Sequence, residues 1–181
     1  MRLDLGGIGK GVCVDRASAI LKSAGFSYGY FNLGGSSMCV LENLKSPSGE
    51  WEVGVVHPRA VGNYMTVSAK NLSLSTSGDY ELYYEIGGTR YCHIIDPFTG
   101  TPVSAGEGGI VCASVFGLSG AEGDATTTAL MAMGREKAVR YIGKYLCGVQ
   151  VSFVWQNGAE YVLYTNSENY ALNEEWEVVC I

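Results

Sequence analysis

An acid and a hydroxyl four residues apart on a helix share one face. Asp124 and Thr128 stand at that spacing in GDATTTAL, residues 123–130. A carboxylate and a hydroxyl are hard oxygen donors of the kind Mg2+ takes. An aspartate near a helix start is also an ordinary N-cap, and the sequence leaves both readings open. A second stretch, DLGGIGKG at residues 4–11, holds four glycines and Lys10. Glycines at such a junction let the backbone close on a ligand, and free helix amides beside a cation favour an anion. A tight turn would use the same glycines. The spacing from Gly6 to Lys10 is not that of a Walker A loop, and Gly11 follows the lysine where Ser or Thr is required. Nor do these glycines fit the G-x-G-x-x-G spacing of a dinucleotide fingerprint.

Two further stretches carry reactive types. In CHIIDPFTGTPV, residues 92–103, His93 is one of only two histidines. It is a general base near neutral pH or a structural strand residue. Cys92 is its neighbour, but adjacent strand residues face opposite ways, so the two make a poor nucleophile–base pair. In TSGDYELYYE, residues 76–85, Ser77-Gly78-Asp79 reads as a turn leading into a strand.

The elements that must position these residues follow from periodicity. Residues 2–6 read as a short strand. Residues 10–25 read as a helix with Val14, Ala17, Leu21 and Ala24 on one face and Gly25 as its stop. YGYFNLGG is a strand ending at two glycines, and MCVLENL and WEVGVV follow around a SPSGE turn. NYMTVSAKNLSLSTSG gives two extended segments, and ELYYEIGGTRYCHII is a hairpin turned at Gly87-Gly88. GGIVCASV is a buried strand. AEGDATTTALMAMG is a helix with Ala129, Leu130 and Met133 inward, and REKAVRYIGKYL is a second short helix. VQVSFVWQNGAEYVLYT is a hairpin turned at Asn157-Gly158, and WEVVCI is a closing edge strand. The expected class is α+β, an antiparallel sheet with a few packed helices, in one domain over residues 1–181.

Composition narrows the function. With 47% hydrophobic and 17% charged residues over 181 positions, the chain can bury a core. A net charge of −6 without any basic run argues against nucleic acid. No apolar stretch is long enough to span a membrane, so no transmembrane segment is expected. No signal peptide is read in the chain, which opens straight into a motif as though upstream sequence had been removed. The six cysteines form no C-x-x-C pair, which disfavours zinc, and most sit among apolar residues as reduced, buried small hydrophobes. That leans towards a reducing compartment.

The order of the stretches is more specific than any one of them. DLGGIGKGVCVD, FNLGGS, STSGDYELYYEIGGTRYCHIIDPFTGTPV and EGDATTTALMAMG, taken in sequence from about residue 3 to 135, resemble the ApbE family of FAD:protein FMN transferases. The resemblance implies an ApbE-like α+β fold, here its C-terminal part. It implies Mg2+-dependent transfer of FMN from FAD to a Ser or Thr hydroxyl of a target protein, with AMP released. By resemblance, Asp124 and Thr128 ligate Mg2+ through side chains and Gly9 through its carbonyl. Lys10 holds phosphate, His93 takes the proton of the acceptor hydroxyl, and Asp4, Ser77 and Asp79 contact or orient the nucleotide. Asp124 thus serves catalysis as well as the metal.

Three departures are visible. Gly9 stands where the family carries alanine, and Phe98 where an arginine commonly follows Asp-Pro. The family's N-terminal region, which supplies part of the FAD pocket, is missing from the matched stretch. A homo-oligomer or a partner chain would then complete the pocket. The alternative is a non-catalytic flavin-binding or structural module, a truncated ApbE-like fragment. The family includes exported, membrane-anchored lipoproteins, whose signal would lie upstream.

Overall fold

The computed structural model describes residues 4–104, 108–157 and 159–181. In chain order it runs α1 (Gly9–Ser23), β1 (Tyr30–Leu33), β2 (Ser37–Val40), β3 (Trp51–Val56), β4 (Asn63–Ala69), β5 (Leu72–Gly78), β6 (Tyr83–Ile86), β7 (Thr89–Ile95) and β8 (Pro102–Ser104). There follow β9 (Ile110–Phe116), α2 (Gly120–Met133), α3 (Arg135–Tyr145), β10 (Gln150–Asn157), β11 (Glu160–Thr165), β12 (Tyr170–Leu172) and β13 (Glu177–Cys180).

The strands form three sheets rather than one. The largest has the order β1-β2-β5-β9-β10-β11-β13, and two smaller ones have the orders β12-β4-β3 and β6-β7-β8. Pairing is antiparallel except between β11 and β13. β13 closes the edge of the large sheet, as expected. The turn of the β10–β11 hairpin at Gly158 lies outside the described residues.

β9 is buried along its whole length because both its faces are covered. On one face Ile110, Ala113 and Val115 pack with Leu130 and Met131 of α2 and Ala138 and Ile142 of α3. On the other, Val111, Cys112 and Phe116 meet Val55, Tyr64, Met65 and Val67 of the second sheet. Burying each such aliphatic side chain contributes about 1.5–3 kcal/mol. Three layers result, helices over the large sheet over the small one, and the site lies where α1 and α2 cross its β2–β5 side.

Five expectations need correction. Residues 4–6 are no strand: Leu5 carbonyl accepts from the Ile8 and Gly9 amides, and Asp4 Oδ1 from the Gly6 amide, which makes a turn running into α1. The inward face of α1 is Gly11, Val14 and Ser18 rather than Ala17, Leu21 and Ala24. The inward face of α2 is Gly123, Asp124, Thr127, Leu130 and Met131, with Ala129 and Met133 only half-buried. Ser77 and Gly78 are still strand, paired with Ala113 and Cys112, and the bend begins at Asp79. All six cysteines are free, but only Cys39, Cys92 and Cys112 are buried; Cys13, Cys147 and Cys180 are exposed.

Candidate functional site

Two glycines decide the geometry. A Cβ at Gly11 would lie 2.0 Å from the Gly120 carbonyl oxygen, and one at Gly120 would lie 2.5 Å from the Gly11 carbonyl oxygen. Backbone meets backbone there, and no side chain fits between. The contact lets each helix cap the other. The Gly11 amide, in the first turn of α1, donates to Asp124 Oδ2 at 2.6 Å. The Gly120 and Ala121 amides, at the start of α2, donate to Asp15 at 2.7 and 3.0 Å. These amides are among the donors a helix start leaves without a partner. α1 has no cap of its own, since Ile8 stands at its N-cap. α2 also has a capping box of Ser119 and Glu122. Asp124, one turn further in, is therefore not the N-cap the sequence allowed.

The second oxygen of Asp124 faces the large sheet. Ser37 Oγ, at the start of β2, donates to Oδ1 at 2.7 Å. The carboxylate is 6% exposed, and each oxygen keeps acceptor capacity. Thr128 lies one turn on, as its spacing requires. The Thr127 and Thr128 hydroxyls both donate to the Asp124 carbonyl, at 3.1 and 2.9 Å. Ser77 Oγ lies 2.8 Å from Thr127 Oγ1 and 3.2 Å from Thr128 Oγ1. With both threonine hydrogens committed, Ser77 is the donor; its single hydrogen lies between the nearer Thr127 and Thr128, and the Thr128 oxygen keeps a free lone pair. Gly7 is close by: a Cβ there would lie 3.8 Å from Thr128 Oγ1. Among the described residues, no three His, Cys, Asp or Glu side chains cluster. One carboxylate, a hydroxyl and backbone carbonyls are nonetheless a donor set that fits Mg2+, which takes one or two carboxylates and keeps the rest of its shell for water and phosphate.

The glycine stretch brings Gly9 and Lys10 to the first two positions of α1. A Cβ at Gly9 would meet nothing within 4 Å, so the alanine usual at this position would fit. Lys10 is exposed, and Asp4 is exposed beside Gly6. His93 stands apart on β7. Cys92 and Ile94 turn into the core beneath α2, and His93 points the other way, into solvent. The opposite facing expected of Cys92 and His93 is what the strand adopts. The Leu82 carbonyl lies 3.2 Å from His93 Nδ1 and can only accept, so in the neutral ring Nδ1 carries the hydrogen and Nε2 keeps its lone pair. Phe98 is 91% exposed on the turn after Asp96.

Asp79 is wholly buried, and Arg59 takes both its oxygens at 2.5 Å. Burial pushes its carboxyl up from the usual range, and the guanidinium pulls it back. The fork of two charge-assisted bonds offsets part of that burial, and the carboxyl stays above its usual range. Two clefts flank α1. One, of about 390 Å3, is lined by Asp15, Ser18, Lys22, Asn71 and Ser73 among others, and the other, of about 180 Å3, by Phe26, Tyr28, Tyr30 and Phe31 among others. None of the expected site residues lines either.

The model of the ApbE family matches residues 1–153. The chain belongs to the ApbE family. It is 31% identical over 163 residues to the FAD:protein FMN transferase of Treponema pallidum, covering 86% of this chain and 44% of that protein. It is 38% identical over 137 residues to the FAD:protein FMN transferase of Rhodobacter capsulatus, covering 75% and 25%. Among solved structures, the flavin transferase ApbE of Vibrio cholerae superposes with a TM-score of 0.74 at 27% identity, covering 90% of this chain and 50% of that one. This ApbE-family chain thus spans less than half the length of these curated relatives.

Residues missed by sequence reasoning are Asp15, Ser37, Arg59 and His57. One signal was there to be used. Gly11-x-x-x-Asp15 and Gly120-x-x-x-Asp124 repeat the same spacing, and Ser119-x-x-Glu122 marks the true start of α2. For Ser37, at the start of β2, and Arg59, in the loop between β3 and β4, the sequence holds no local signal.

Proposed function

We propose that this chain carries the metal- and phosphate-holding part of an enzyme that moves FMN from FAD to a Ser or Thr hydroxyl of a target protein. One observation carries the reading: a buried carboxylate, Asp124, with the Thr128 hydroxyl one turn away, pinned beside the glycine-rich start of α1. The Asp124 and Thr128 side chains and the Gly9 carbonyl would hold Mg2+. When bound, Mg2+ neutralises charge on the phosphoryl group in transfer. Lys10 adds a point charge to the helix start, where a pyrophosphate is favoured. Ser77 holds the Thr127 and Thr128 hydroxyls together, and Asp4 flanks the nucleotide side; Asp79, wholly buried with both oxygens on Arg59, does not reach the nucleotide as expected and serves only the chain around Ser77. His93 Nε2 takes the proton of the acceptor hydroxyl. The acceptor oxygen bonds to the FMN phosphorus, the pyrophosphate P–O bond to AMP breaks, and AMP leaves.

The test is AMP release from FAD in the presence of an acceptor peptide, with and without Mg2+. The expected result is Mg2+-dependent AMP with one flavin on the peptide for each AMP formed. Flavin binding with neither product would instead support a non-catalytic flavin-binding module. That second reading draws on the two clefts, which no expected site residue lines, and on the chain's share of its relatives' length.

A further inference from the structure

The second sheet contributes none of the expected site residues, yet it reaches the site through one side chain. Arg59 lies in the loop between β3 and β4. That loop is locked by His57, whose Nδ1 accepts from the Arg59 and Ala60 amides at 2.9 and 2.8 Å. His57 Nε2 is in turn 3.1 Å from Glu174, and its ring stands edge-on to Trp176 at 5.2 Å. From this base Arg59 donates to the Pro58 carbonyl at 2.8 Å and to both oxygens of Asp79.

Asp79 sits one residue past the end of β5, where support runs out. On one side β2 pairs with β5 only from Leu72 to Ser75, with one more bond from the Thr76 amide to the Ser36 carbonyl. On the other, the ladder to β9 stops at Gly78–Cys112. Beyond it the Asp79 amide donates to the Val111 carbonyl at 3.0 Å. Val111 is skipped where the β9–β10 register shifts, a bulge that twists β9 there. Ser77, two residues back, is the side chain that bridges Thr127 at 2.8 Å and Thr128 at 3.2 Å.

We propose that Arg59 is a positioning residue for the Asp124–Thr128 site: by gripping Asp79 it fixes the end of β5, and with it Ser77 against Thr128. The proposal rests on the metal-site reading above. A guanidinium fork holds both carboxylate oxygens at once, which a lysine cannot do. Outer groups that orient ligands in this way are worth about 10–100-fold in metal affinity.

The test uses the whole chain, Mn2+ as the probe ion followed by electron paramagnetic resonance, and amide hydrogen exchange. Arg59→Met alone leaves a buried carboxylate unpaired and should melt far below wild type. The double variant Arg59→Met, Asp79→Asn removes both charges and should regain most of the melting temperature. In it, Mn2+ affinity should still fall by about tenfold, and amides 76–79 should exchange faster while those of β10 and β11 do not. Arg59→Lys should show the same local signature in milder form. Wild-type exchange at residues 76–79 in the double variant overturns the proposal, and so does faster exchange with wild-type Mn2+ affinity. Absence of Mn2+ binding by the wild type overturns the metal reading and the proposal with it, whereas wild-type Mn2+ binding that the double variant keeps overturns the proposal alone.

Discussion

Asp15 and Asp124 are a matched pair with unmatched surroundings. Each stands four residues after a glycine at the crossing of α1 and α2, and each takes amides from the start of the other helix. Asp15 does no more than that: both its oxygens go to the Gly120 and Ala121 amides, and an open cleft lies beyond. Asp124 gives one oxygen to Gly11 and the other to Ser37, with Thr127, Thr128 and Ser77 closing around it. Capping a helix therefore does not make a site. What sets Asp124 apart is the hydroxyls that β2, β5 and its own helix bring to it, which turn a capping acid into an oxygen-donor pocket.

The crossing itself is the first place to break the comparison. Gly11→Ala or Gly120→Ala drives a methyl into backbone, which cannot yield as a side chain can. Each should cost about 3 kcal/mol by denaturant unfolding and disturb both carboxylates together. Next, Asp124→Ala leaves the buried Ser37 hydroxyl and Gly11 amide unpaired, a loss of about 2–3 kcal/mol. Asp15→Ala loses a cap, about 1–2 kcal/mol. The two should part in function: Asp124→Ala without metal-dependent turnover, Asp15→Ala with wild-type turnover at temperatures where it is folded. Equal losses of turnover would erase the distinction. Ser37→Ala removes one donor from Asp124 at a buried position and should cost about 1 kcal/mol, read as a shift in denaturant midpoint. The smallest effect belongs to Gly9→Ala. Its Cβ meets open space in the first turn of α1, so stability should rise by at most about 1 kcal/mol. A clear loss there would show that the start of α1 is packed differently from this description.

Much of this was legible in the sequence, and what was not has physical reasons. Strand and helix order followed from local pattern, as β9 shows: its seven residues are apolar or small and both its faces are covered. The Asp124–Thr128 pairing followed from helical spacing alone. The inward face of α1 was misread because apolar periodicity selects Leu21 and Ala24, whereas a glycine crossing buries the smallest side chains, Gly11 and Ser18. The strand expected at residues 2–6 failed where Asp4 and Leu5 spend their acceptors on the next turn. Arg59, in the β3–β4 loop, and Asp79, just past β5, lie 20 residues apart, and only the stacking of the two sheets brings them together. His93 was found by residue type, and its orientation by strand alternation. The carbonyl that selects its tautomer, Leu82, belongs to the preceding segment and leaves no mark in the pattern around His93.

In the proposed reaction the Asp124 pocket holds the metal and the exposed His93 serves as the base. The measurement that tests it most directly compares Mg2+-dependent AMP release with FAD binding in wild type, His93→Ala and Asp124→Ala. His93→Ala should bind FAD as the wild type does and release no AMP, while Asp124→Ala should lose the Mg2+ dependence together with turnover. AMP released by both variants at the wild-type rate would contradict those roles.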